Sequence, residues 1–204
     1  MALIKSALEI ALERTKDMKA DPAALKAFEL KQEGQKLAGE FLSDPGSVDL
    51  EARIKALPKE DRGILKSAIF GVLAARIQLP LTKTGIPPET LDALAKGFTA
   101  LAASPFPDKR IGGLMKQVGD FLARYLEDAT NLDTALRKQF EPKLRRKEQE
   151  LAARTGQSVR LDPLSDPEFL KVYQQNVGQM KAQYQSALDQ AKEDLAAMLG
   201  IEKD

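Results

Sequence analysis

The chain of 204 residues contains no histidine, no cysteine and no tryptophan. Histidine titrates near neutral pH and is the commonest metal ligand, while cysteine is the most reactive nucleophile and a soft-metal ligand. Their absence removes metal sites built on nitrogen or thiolate, including di-iron bundles that use Glu-x-x-His, and with them most familiar routes to catalysis. No disulfide can form, so nothing demands an oxidising compartment, and a cytoplasmic location is expected. Long apolar runs are missing as well. The longest uncharged stretch inside a helix-like segment is Ser67 to Ala75, between Lys66 and Arg76, whereas a membrane span needs about 20 apolar residues. Charge of one sign is also lacking: 31 basic residues meet 30 acidic ones, for a formal net charge of +1. No global field favours nucleic acid or an anionic membrane.

Catalytic motifs are absent in the same way. Neither G-x-S-x-G nor S-x-x-K occurs, and the glycine-containing calcium loop is missing, although an all-oxygen magnesium or calcium site stays open. The paired Gly112 and Gly113 follow no strand and lead to no G-K-[ST] ending, so they are read as permitting close helix packing, not phosphate binding. Asp61 with Arg62, and Glu127 with Asp128, read as solvated charges. No catalytic, cofactor-binding or metal-binding residue is nominated, and the chain reads as non-enzymatic.

What is present is helix. Ala, Leu, Lys, Glu, Gln and Arg dominate, and proline and glycine punctuate segments of 3.6-residue apolar period. A first helix is expected over about 2–19. Its apolar stripe carries Glu9, Glu13 and Asp17 and has no basic lead or cleavage site, so it does not read as a signal peptide. Asp21-Pro22 opens a second helix through Leu42, as cap followed by proline in the first turn. A short helix over 48–57 follows, then 59–79, the least polar and the expected centre of the bundle. Residues 80–88 read as a loop, 89–103 as a helix, 104–107 as a break and 108–129 as a further helix.

In the last third, Leu132, Leu136, Phe140, Leu144 and Leu151 mark a helix containing Pro142. Ser165-Asp166-Pro167-Glu168 reads as a capping box with Ser165 as cap. The final helix carries Leu170, Tyr173, Val177, Met180 and Tyr184 at alternating three- and four-residue steps, a coiled-coil-like seam ending near Leu199, with Gly200 as its stop. These two helices are expected to pair as an antiparallel hairpin, with the seam either buried within the chain or offered to a partner. The tail beyond about residue 188 then needs a further neighbour. Arg137, Lys138, Lys143, Arg145, Arg146 and Lys147 form the strongest basic patch, offset within it by Glu141 alone. It reads as a solvated helix face or as a contact for phosphates. In a hairpin centred on the loop, residues 137–147 would face 172–182, which hold no acidic residue.

Ile4-Lys5-Ser6-Ala7-Leu8-Glu9 with Ala11-Leu12-Glu13-Arg14-Thr15, together with Leu144 to Leu151, Val159-Arg160-Leu161-Asp162-Pro163 and Asp166-Pro167-Glu168-Phe169, resemble a family of uncharacterised bacterial all-helical proteins, a domain of unknown function. The resemblance implies a helical fold over most of the chain and carries no activity. The expectation is an all-α protein of seven or eight helices: an N-terminal bundle over 1–130 and a long C-terminal antiparallel helical hairpin over 131–204, packed together as one unit. The expected role is a non-catalytic scaffold or protein-interaction protein without cofactor or metal, whose partner is another protein or a second copy. The alternative is a nucleic-acid-associated factor using the basic helix 137–147.

Overall fold

The structure, a computed structural model, describes residues 22–82, 84–102 and 108–201. The expected first helix over 2–19 and the break at 104–107 lie outside the described residues. Among the described residues there are six α-helices, one short 3-10 turn and no strand: α1 (Pro22–Ser43), α2 (Leu50–Ala56), α3 (Lys59–Ala75), α4 (Pro88–Leu101), α5 (Asp108–Thr155), the 3-10 turn (Pro163–Ser165) and α6 (Pro167–Met198).

The bundle is organised by α1 and α3. Lys26 pairs with Asp61 at 2.7 Å, and Gly34 lies against Ala68, so contacts advance together along both helices, which therefore run parallel. The short α2 makes this possible by carrying the chain back. Asp49 caps its start by accepting from the Ala52 N–H at 2.9 Å, and Arg62 donates to the carbonyls of Leu57 and Lys55 at its end. Asp61 and Arg62 are thus structural groups and not solvated charges: Asp61 is buried in the first turn of α3, where the helix dipole and Lys26 both favour its negative charge. A Cβ at Gly34 would stand 2.7 Å from that of Ala68, so glycine sets how closely α1 and α3 approach.

Leu65, Ile69 and Leu73 place α3 at the centre of a core shared with Leu37 and Phe41 of α1, Ile54 of α2, Leu94 and Phe98 of α4, and Ile111, Met115 and Leu122 of α5. Leu188, Leu195 and Leu199 complete it from the far end of the chain, which gives the tail of α6 the neighbour it requires. Gly97 and Gly119 are the other close approaches, to Leu73 with Phe41 and to Leu91 respectively, whereas Gly112 and Gly113 have nothing within reach of a Cβ. The packing role expected of that pair belongs to Gly34, Gly97 and Gly119.

The helices expected over 108–129 and 132–151 are one. The 48-residue α5 passes without interruption through 130–131, where a boundary between bundle and hairpin was expected, and through Pro142. Thr130 and Thr134 suit a turn in sequence, but their hydroxyls return to the carbonyls of Leu126 and Thr130 and stay within the helix. At 1.5 Å per residue α5 is about 72 Å long. Its first half belongs to the bundle, and its second half pairs with the start of α6. Both helices end on a left-handed glycine, Gly156 at φ 69° and Gly200 at φ 66°.

Candidate functional site

The pairing of α5 with α6 is held at two places. At the first, Asp166 caps α6: its Oδ1 accepts from the N–H groups of Glu168 and Phe169 at 3.1 and 3.0 Å, and its Oδ2 takes Lys147. Asp166, not Ser165, is therefore the cap, and Pro167 is the first helical residue. The Lys147 ammonium and the two amides hold the buried Asp166 carboxyl below its ordinary value, and the same pairing raises Lys147. The cap aims Phe169 inward. Phe169 is fully buried, edge-on to Phe140 at 5.3 Å and stacked on Tyr173 at 5.6 Å, between Leu136 and Leu144.

At the second place, the Tyr184 hydroxyl donates to Asp128, and its ring lies 4.9 Å from Phe121 and 5.2 Å from Tyr125. The hydrogen bond to the carboxylate, followed by burial, raises the phenol of Tyr184, and burial raises that of Tyr125. Asp128 is accordingly a clamp residue and not a free surface charge.

Between the two clamps the helices leave a cleft of about 830 Å³. Its cause is the side chains of α5. Where Phe140 and Leu144 fill the first clamp, the intervening face offers Ala129, Thr130 and Asp133, which are too short or too polar to meet the opposite helix. Tyr173, Val177 and Met180 of α6 line one wall, and Leu126, Ala129 and Asp133 the other. The segment Gln78–Thr82, which links α3 to α4, closes one side and carries Leu81 at 93 % exposure. Asp133 and Arg137 face each other across one helical turn at 2.8 Å, which raises Arg137 and leaves this edge without net charge.

The seam nominated from sequence is thus divided. Tyr173, Val177 and Met180 line the cleft, Tyr184 forms the second clamp, and Leu170 is half-buried beside the true anchor, Phe169. None of the five is fully buried, and Leu151, expected opposite them, is exposed. The signal for Phe169 was present: once Asp166 is the cap, Phe169 falls at the third helical position and Tyr173 four residues on.

The basic patch is largely neutralised. Lys143 pairs with Glu168, Lys147 with Asp166, Arg145 with Glu141 and Arg137 with Asp133. Lys138 and Arg146 have no ion pair among the described residues. The acidic start of α6 reaches the patch because the connection after Thr155 turns back along α5, where the Leu161 N–H donates to Glu148 at 2.8 Å. That return shifts the register by about two turns from a hairpin centred on the loop, so the start of α6, not residues 172–182, faces the patch.

Among the described residues no group of three or more carboxylates could hold a metal ion, and no helix is long and apolar enough to cross a membrane. No curated protein and no solved structure matches the chain. Residues 51–197, from α2 to the end of α6, match a family of unknown function (DUF6657), so both clamps and the cleft between them lie within the matched region, and the chain belongs to that family.

Proposed function

We propose that the protein is a non-catalytic helical interaction protein and that the cleft between α5 and α6 receives apolar side chains of another protein chain. The observation that carries this reading is the half-burial of Tyr173, Val177 and Met180 around an open cleft, between two clamps whose aromatic side chains are well packed. Apolar side chains left half-covered in a concave site suit a partner's apolar anchor, with polar groups such as Gln185, Lys181 and the Asp133–Arg137 pair at the edge. The clamps fix the width of the cleft, so little ordering is required on binding.

The ion pairs of the basic patch favour this reading over nucleic-acid binding. Phosphates would have to displace Asp133, Glu141, Asp166 and Glu168 from four of its six members. The absence of histidine and cysteine, and of a carboxylate cluster among the described residues, supports a non-catalytic role.

The test is photo-crosslinking in cells. A photoreactive amino acid at Val177 is expected to capture a protein, and Met180→Glu is expected to abolish the capture. The same probe at the exposed Gln175, two residues away on the opposite face of the helix, should capture nothing above background. Equal capture from both positions, or none from Val177, refutes the reading.

A further inference from the structure

We infer that the outer face of α1 is the docking site of the chain's own first 19 residues, which lie along it as a helix antiparallel to α1. No residue of α1 lines the cleft between α5 and α6, so this face is separate from the docking site proposed above.

The face is set by the spacing of α1. Leu30, Gly34, Leu37, Ala38 and Phe41 turn one side of the helix into the bundle. At about 100° per residue, Leu25, Phe28, Gln32 and Gln35 fall on the opposite side, at steps of three, four and three residues, and all four are exposed. A solvated face of a helix this rich in Lys and Glu would carry charge along that line. Two large apolar side chains and two glutamines at alternating three- and four-residue steps make the seam of a helix pair instead.

The occupant is singled out by register. Leu8, Ala11, Thr15 and Met18 form a matching uncharged line in the first 19 residues, again at steps of three, four and three. Counted outward from Asp21-Pro22, Met18 stands opposite Leu25, Thr15 opposite Phe28, Ala11 opposite Gln32 and Leu8 opposite Gln35, each pair equidistant from the bond between residues 21 and 22. Two antiparallel helices joined by a loop of about two to five residues pair in this way, and Ala20-Asp21 supplies that loop between the helix expected over about 2–19 and Pro22. The small Ala11 and Thr15 leave room for the ring of Phe28, and neither line buries a charge.

Length and attachment point to the same segment. The other stretches outside the described residues, at 103–107 and 202–204 together with Lys83, are too short to present four such positions to a seam of about 15 Å. A helix tethered by so short a loop faces α1 at an effective concentration in the millimolar range, which a separate chain would have to exceed.

The test is disulfide trapping in the full chain, which has no cysteine of its own. Ala11→Cys with Gln32→Cys, and Leu8→Cys with Gln35→Cys, set two thiols opposite each other. Ala11→Cys with Glu40→Cys offsets them by about two turns, roughly 12 Å along α1, beyond the reach of a disulfide. Under a mild oxidant in dilute protein, both facing pairs are expected to close within one chain, at least about tenfold faster than the offset pair. Phe28→Glu, added to the first facing pair, is expected to slow closure at least about tenfold, because covering a large apolar side chain is worth that factor or more, whereas on an uncovered face it would change nothing. An offset pair that closes as fast as the facing ones, no closure in either facing pair, or closure indifferent to Phe28→Glu overturns the inference. Disulfides formed only between chains overturn it as well, in favour of a second copy on the same face. Capture from Val177 is independent of every one of these outcomes, so the docking cleft stands or falls separately.

Discussion

Replacing Phe169 with alanine should be the most damaging single change in the paired region of α5 and α6. The side chain is fully buried and makes two aromatic contacts, edge-on to Phe140 and stacked on Tyr173, within a cluster of only four buried residues. Truncating a buried phenylalanine costs about 3–5 kcal/mol, and aromatic pairs of this geometry add about 0.5–1.5 kcal/mol beyond the buried area. Since a domain has about 5–15 kcal/mol in all, the loss is about a fifth of it or more. For a chain of this size a loss of about 3–5 kcal/mol lowers the melting temperature by roughly 6–20 °C. The cluster is separate from the main core, so the damage should also be local. Hydrogen exchange should accelerate over 136–150 and 163–173 before it does over α1 and α3. Leu170→Ala is the internal control, because Leu170 is half-buried beside the anchor and should cost less than half as much. Equal losses for the two substitutions would refute the placement of Asp166 as cap and of Phe169 as anchor.

Asp166→Ala should cost about 0.5–2 kcal/mol as a lost helix cap, seen as a lower denaturation midpoint. The folded state holds the Asp166 carboxyl below its ordinary value, so its contribution is present above about pH 4, where it is ionised even in the unfolded chain, and is lost as pH falls through the lower folded value. Acid titration of hydrogen exchange at the start of α6 should show this loss in the parent and not in Asp166→Ala. Gly34→Ala should destabilise, because the strain against Ala68 and the Leu65 carbonyl, about 1–3 kcal/mol, exceeds the gain of up to about 1 kcal/mol from helix propensity. Gly39→Ala, with nothing within 4 Å of the added carbon, should instead raise the melting temperature. Changing Arg137, Lys138, Arg145 and Arg146 together to glutamine should leave binding to duplex DNA or an RNA hairpin undetectable before and after in about 150 mM salt, where surface charges are screened beyond roughly 8 Å. Salt-sensitive micromolar binding by the parent would favour the phosphate reading of the patch.

The helical class and most helix faces were legible in the sequence because period and punctuation agreed. Asp21-Pro22 marked the start of α1, Pro88 lay at the start of α4, and Gly200 marked the end of α6. The buried faces of α3, through Leu65, Ile69 and Leu73, and of α5, through Ile111, Met115 and Leu122, follow the same 3.6-residue spacing. What failed was decided by single positions. The boundary expected at 130–131 had neither proline nor glycine behind it, and the helix runs straight through, with the Thr130 and Thr134 hydroxyls bonded to carbonyls one turn back. Moving the cap by one residue, from Ser165 to Asp166, exchanged Leu170 for Phe169 as the anchor. The register of α5 against α6 was hidden because the connection after Gly156 doubles back along the helix, a path that no local propensity encodes. The cleft was half legible. The apolar face of Tyr173, Val177 and Met180 could be read directly, but whether it would be covered depended on Ala129 and Asp133, some 40 residues or more away on the facing helix.

The claim that matters most is that the cleft between the two clamps is occupied by another chain when the protein is at work. Because the chain has no cysteine, Met180→Cys provides one unique thiol inside the cleft and Gln175→Cys one on the opposite, exposed face of the helix. Their rates of maleimide labelling are to be compared in intact cells and in dilute purified protein. Protection of the Met180→Cys thiol in cells, lost on dilution and absent at Gln175→Cys, is the predicted result; identical rates at both positions in both settings would contradict it.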